Sequence, residues 1–406
     1  MYRISTANAY NRTIEQLGVR QSELAEQQER LSTGKRVQKA SDDPVAATLA
    51  ETAANRLSRT NADLRALEAS RTSLQQAESG LAESGELMQK VRELLVTAGN
   101  ATFTNSERED VAKQLEGLRE QLIAVANRTD NAGRTLYGGL GGSSTPFVDL
   151  YGPTGNGVQF GGQRGQAAAG NSSLPSALDG DAIWMRVPQG NGTFTVGLPN
   201  SNTGSVSTTM GQVTNAAALT GNDYDITFAD VGGVIQYTVT NATTGTPVPG
   251  HVGQPYVANR SIEFDGMSLE MRGLPAAGDR VEVRPVTTTT DIFSVVQGAI
   301  DALRYGGTNQ SAHQAQAMAR AITEVDAGHD RVLAARGRAG EWLNRADSLD
   351  SQMEGRAVDL KAEQATLTEL DMIKGLSDLE TQRVGFEAAI KSYAQVQRLS
   401  LFQVIN

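Results

Sequence analysis

Three histidines, His251, His313 and His329, are the residues best suited to proton transfer or metal ligation, and their spacing serves neither. His313 and His329 stand sixteen apart with no acidic cluster between them, so all three read as surface or helix-face histidines. The adjacent acids Asp42 and Asp43 could hold a metal or share a proton. They sit just before Pro44 at the head of a long helical pattern, which reads as capping. Gly152 to Gly162 is rich in glycine but does not spell G-x-G-x-x-G in register, and no phosphate loop ends in Lys-Ser or Lys-Thr. Gly34-Lys35 lacks the upstream glycine of such a loop and reads as a helix C-terminus. Asp179, Asp181, Asp223, Asp225 and Asp230 read as turn formers. With no cysteine, thiolate catalysis, disulfides and Cys-ligated metals are excluded. No catalytic residue, cofactor or metal is expected, and the chain reads as non-enzymatic.

The bulk properties exclude further classes. A net charge of −10 argues against a nucleic-acid partner, which needs a dense basic face. No run of 18 apolar residues exists, so no membrane insertion is expected. The opening Met1 to Thr6 leads into Asn, Arg, Glu and Gln, so no cleavable leader is expected.

The elements that would position any site come from the repeats. Leu67, Leu74, Leu81, Met88 and Leu95 recur every seven residues, within a proline-free stretch from Val45 to Ala98. Such a repeat keeps one apolar seam facing a partner, on a helix roughly 80 Å long. Ahead of it, residues 8–33 carry a thinner stripe of Ile14, Leu17, Leu24 and Leu31. A third helix, beginning after Thr104-Asn105-Ser106-Glu107, carries Val111, Leu115, Leu118, Leu122 and Val125 and is expected to pack antiparallel onto the long one. Ten of eleven prolines fall between Pro146 and Pro285, among Gly-Gly and Asn-Gly pairs and short alternating runs. Ile183 to Val187, Thr193 to Val196, Ile235 to Val239 and Val281 to Val283 read as strands of an antiparallel β domain, sandwich or barrel-like. Helical stripes return with Ile292 to Leu303 and from Ser311 onward. They end on Leu376, Leu379, Phe386, Ile390, Tyr393, Leu401 and Phe402.

The expected class is α+β: a long antiparallel helical bundle or coiled-coil core made by both chain ends, with an inserted β-rich domain. Residues 1–44 and 368–406 form a terminal helical assembly domain, disordered in the monomer. Residues 45–139 and 290–367 form a helical shaft, and 140–289 the β-rich outer domain. The terminal stripes are too thin to fold well alone, since short amphipathic helices are marginal in water. Their apolar residues are therefore the expected seam for subunit packing.

Two stretches carry a resemblance. Leu31 to Ala47, with Ser41-Asp42-Asp43-Pro44 at its centre, is similar to the signature of the bacterial flagellin family, as are Val91 to Val96 and Ala124 to Asp130. Met1 to Tyr10, Asn131 to Gly139 and the tail Leu399-Ser400-Leu401-Phe402 resemble the members of that family that join hook to filament. Gly340-Glu341-Trp342-Leu343-Asn344 replaces a more usual Gly-Ala-Arg-Leu-Asn, and Asp371-Met372-Ile373-Lys374 keeps only the first Asp of an acidic motif. The resemblance implies an extracellular structural subunit of the flagellum, exported by the flagellar secretion apparatus without a cleaved signal. The implied partners are a hook-side junction protein, flagellin, further copies of the chain in a ring, and an export chaperone on the C-terminal segment. The nearest rival is flagellin itself. Rivals of other classes are an enzyme housed in the insert and a surface adhesin with glycan-binding loops.

Overall fold

The computed structural model describes residues 6–99, 103–141, 144–150, 157–166, 174–304 and 310–404; side chains are described from residue 11 to residue 395. The class is α+β. Six α-helices are described: α1 (Thr6–Thr33), α2 (Pro44–Ala98), α3 (Asn105–Ala126), α4 (Ile292–Arg304), α5 (Gln310–Thr368) and α6 (Met372–Val404). No helix among the described residues is long and apolar enough to cross a membrane. Two compact units are distinct, one of residues 1–66 and 349–406 and one of residues 67–348, and the division falls within α2 and α5.

In the first unit α1 packs against α6. Gly375 faces Leu31 and Gly385 faces Arg20, so the two helices run antiparallel. The breaks between helices are stitched together: Arg36 N–H donates to the Thr368 carbonyl at 2.8 Å and Leu370 N–H to that of Gly34 at 2.9 Å. Gly34 ends α1 in the left-handed region, at φ 68°, where a Cβ would be strained. Among the described residues, the buried apolar side chains of this unit are few and mostly small: Val37, Ala46, Ala50, Ala53, Leu349 and Leu360.

In the second unit α2 and α5 run side by side. The ion pairs Arg71–Asp347, Arg336–Glu78 and Arg92–Asp326 step up one helix and down the other, which makes the pair antiparallel. The seven-residue row is its core: Leu67, Leu74, Leu81, Met88 and Leu95 are all buried. Helix α3 starts with a capping box between Thr104 and Glu107. Its nearest helical neighbour is α4, and its Val125 also faces Gly80 of α2. It stops at Ala126, because the Asn127 side-chain amide exchanges two hydrogen bonds with the backbone of Phe147. Beyond it, Asp130 closes the turn by accepting from the Ala132 and Arg134 amides.

The β-rich stretch contributes fourteen short strands among the described residues. β1 (Phe147–Asp149) and β2 (Val158–Phe160) form a hairpin; β3 (Val187–Pro188) lies further on, followed by β4 (Phe194–Gly197), β5 (Ser207–Thr208) and β6 (Gln212–Val213). Next come β7 (Tyr224–Val231), β8 (Val234–Asn241), β9 (Thr246–Pro247) and β10 (Gln254–Pro255). β11 (Arg260–Phe264), β12 (Met267–Arg272), β13 (Arg280–Pro285) and β14 (Thr289–Thr290) complete the set. One sheet has the order β10-β8-β7-β13-β4, with β9 also on β8; the other has β11-β12-β5, with β6 also on β12, and β14 pairs with β3. Alternate residues of both sheets, Phe194, Val196, Ile226, Phe228, Val239, Leu269, Met271 and Val281 among them, share one core.

Two sequence expectations need correcting. Ile183 to Val187 is not a strand: Asp181–Met185 forms a turn of π-helix, and only Val187 enters a strand. Ile183 and Trp184 are both buried although adjacent, so the apparent alternation does not sort them to opposite faces. Asp181 and Asp225 are not turn formers. Asp181 is buried and bound by Arg164 and Arg186, while Asp225 lies within β7 and pairs with Arg284.

Candidate assembly surface

The terminal stripes can be followed residue by residue. In α1, Ile14 is 45% exposed and Leu17, Leu24 and Leu31 are half-buried. In α6, Leu376 is 56% exposed, Ile390 44%, and Leu379, Phe386 and Tyr393 are half-buried. The side chains of Leu401 and Phe402 lie outside the described residues. None of the described stripe residues is fully covered, whereas Leu74 on the α2 row is 1% exposed. The α1–α6 pair thus covers part of each stripe and leaves the rest to solvent. A protein surface normally spreads its apolar residues singly.

Further apolar residues that the spacing did not single out are exposed in this unit. Val19, Met372, Ile373 and Val384 are exposed on the same two helices, as are Val45, Leu49 and Val358 on the parts of α2 and α5 in this unit. Ile373, at 86%, is the most exposed of them. The missing signal is that these residues fall off the seven-residue rows. Gln27, on α1, is buried and donates to the Gly375 carbonyl at 3.1 Å, pinning the two helices together.

The motif Ser41-Asp42-Asp43-Pro44 divides its work. Asp43 Oδ1 accepts from the Ala46 amide at 2.9 Å, and Pro44 is the first residue of α2. The Ala46 N–H and, after it, the Arg36 guanidinium hold the Asp43 carboxyl below its ordinary range. Asp42 Oδ2 accepts from the Lys39 and Gln38 amides, closing the turn ahead of the helix, and these N–H groups lower its pKa. Ser41 is exposed. Asp371 caps α6 in the same way, accepting from Ile373 and Lys374. Both helices that flank the stitched breaks therefore begin on a fixed carboxylate.

In the second unit, polar residues of α5 anchor the β-rich stretch. Gln316 is buried: its Oε1 accepts from the Thr208 N–H at 2.8 Å and its Nε2 donates to the Val196 carbonyl at 3.3 Å, so one side chain holds a strand of each sheet. Glu324 accepts from the Gly190 N–H, and Arg331 donates to the Ala182 carbonyl. From α3, Arg119 grips both oxygens of Asp149 and donates to the Phe293 carbonyl. The sequence signal was a polar residue recurring at helical spacing (316, 324, 331) on a stripe otherwise apolar. His251, His313 and His329 are not gathered into a metal site: no group of three potential ligands occurs among the described residues.

The similarities of the chain agree with this arrangement. Residues 4–141 match the family model of the bacterial flagellin N-terminal helical region. The flagellar hook-associated protein 3 of Escherichia coli is 24% identical over 410 aligned residues, which cover 99% of each chain. A flagellin of Clostridium tyrobutyricum is 21% identical over 96% of this chain and 97% of its own. The crystal structure of a flagellar hook-associated protein-3 from Legionella pneumophila superposes with a TM-score of 0.69 at 26% identity, covering 78% of this chain and 97% of that one. The chain is therefore similar to the bacterial flagellin N-terminal helical region over residues 4–141 and, along nearly its whole length, to hook-associated protein 3.

Proposed function

We propose that the chain is a structural subunit of the bacterial flagellum that joins the hook, through a neighbouring junction protein, to the flagellin filament. The observation that carries this reading is the full-length similarity to hook-associated protein 3. The partly covered apolar stripes of α1 and α6 support it, because they supply a surface that packing against other subunits would cover. In this reading Ile14, Leu17, Leu24, Leu31, Leu376, Leu379, Phe386, Ile390, Tyr393, Leu401 and Phe402 form the seam between copies in a ring. Residues 1–44 and 368–406 act as the assembly domain, ordered at assembly, when the apolar burial that offsets the entropy of ordering becomes available. Residues 45–139 with 290–367 act as the shaft and 140–289 as the outer domain. The subunit is exported by the flagellar apparatus without a cleaved signal, with a chaperone on its C-terminal segment, and performs no catalysis.

A second reading, flagellin itself, is favoured by the full-length similarity to the Clostridium flagellin. One experiment separates the two. The purified chain is added to isolated hooks that carry the hook-side junction protein, followed by flagellin. A junction subunit adds a short zone and then permits filament growth. Growth of long filaments by the chain alone refutes the junction role in favour of flagellin, and failure to add to hooks at all refutes both. Hydrogen exchange on the monomer tests the ordering step: protection of residues 6–33 and 372–404 equal to that of 67–98 overturns it.

A further inference from the structure

The β-rich stretch holds a groove of about 600 Å³ that no part of the assembly reading uses. It lies on the open side of the two sheets. There the first sheet ends on β10, two residues long and including a proline that cannot donate to a further strand, and the second ends on β11. Residues of the first sheet that face the core run out into this gap. Tyr237, His251 and Tyr256 are half-buried there, with the His251 ring 6.3 Å from those of both Tyr237 and Phe264. β11 supplies Arg260 and Glu263 to the lining, both exposed.

Two features point to a ligand. Arg260 has no carboxylate within ion-pair reach among the described residues, and Glu263 has no cation. The hydroxyl of Tyr256 is committed to the Gly273 carbonyl at 2.8 Å, which fixes its ring at the groove wall.

We propose that this groove binds a saccharide bearing a carboxylate. A guanidinium presents a planar fork that matches a carboxylate in bidentate fashion, which assigns the acid group to Arg260. The Glu263 carboxylate accepts from hydroxyls at the mouth. The faces of Tyr237 and Tyr256 cover the apolar C–H face of a pyranose ring. A volume of about 600 Å³ is of the size that small-molecule sites occupy and accommodates a short oligosaccharide. A polypeptide partner is the poorer fit, because its docking surface needs an apolar centre and the apolar Pro255, Val257 and Ile262 of this lining are interspersed with Gln254, Arg260, Ser261 and Glu263. The proposal is independent of the flagellar reading.

The test is titration calorimetry on the full chain with trigalacturonate and with its uncharged counterpart galactotriose. Saturable binding of trigalacturonate, weakened at least about tenfold for galactotriose and about tenfold by Arg260→Gln, supports the site. Arg260→Lys, which keeps the charge and loses the fork, should weaken binding as well and covers the case in which Arg260→Gln unfolds. No saturable binding of trigalacturonate up to roughly 10 mM, a range that still detects the weakest specific ligands, overturns the proposal. So does unchanged affinity in a folded Arg260 variant.

Discussion

Replacing Leu376 and Ile390 together by alanine separates folding from assembly. Full burial of such a side chain is worth about 1.5–3 kcal/mol. The exposed fractions, 56% and 44%, leave about 1.5–3 kcal/mol for the pair still to be gained when a neighbour covers them. The covered fractions are of equal size, so the double variant also weakens the α1–α6 pair by a comparable amount. The urea unfolding of residues 67–348 should stay close to wild type, while association at the hook weakens roughly 10- to 150-fold. Leu74→Ala is the contrasting control. That side chain is 1% exposed, so its removal should cost about 2–5 kcal/mol of monomer stability by leaving a cavity. Urea midpoints give the first quantity, and the concentration of chain required to cap isolated hooks gives the second. A double variant that caps hooks at wild-type concentration, or whose residues 67–348 unfold as readily as those of Leu74→Ala, refutes the assignment of α6 to the seam.

Other outcomes follow from the same geometry. Gln316→Leu leaves the Thr208 N–H and the Val196 carbonyl unpaired, at about 1–3 kcal/mol each, and should show as faster proteolysis between 187 and 290 than in α2. Gly80→Ala drives a methyl into the Tyr137 hydroxyl, which donates to the Ala77 carbonyl; a loss of about 1–3 kcal/mol in urea unfolding is expected. Asp42 and Asp43 have folded pKa values below their ordinary 3.8, so their ionised forms favour the fold. Their contribution is complete above that value and is lost as pH falls through the lower folded one. Helicity measured by circular dichroism should drop in that acid range, and Asp43→Asn, which keeps an acceptor but loses the charge, should make the drop shallower.

Much of the helical architecture was legible because its causes are local. The row from Leu67 to Leu95 announces a seam, Pro44 behind Asp43 announces a helix start, and the prolines and glycines from 146 to 285 mark where helices end and strands begin. Tertiary structure decided what depends on residues distant in the chain. Asp181 is held by Arg164 and Arg186, and Arg331 of α5 binds the Ala182 carbonyl, so the segment turns as a π-helix instead of extending. Gln316 reads as a blemish on an apolar stripe until the strands at Val196 and Thr208 arrive beside it. The sequence by itself determined which residues of α1 and α6 are apolar and how they are spaced. Only packing decided how much of each is covered, because exposure depends on the neighbour across the interface and periodicity describes one helix at a time.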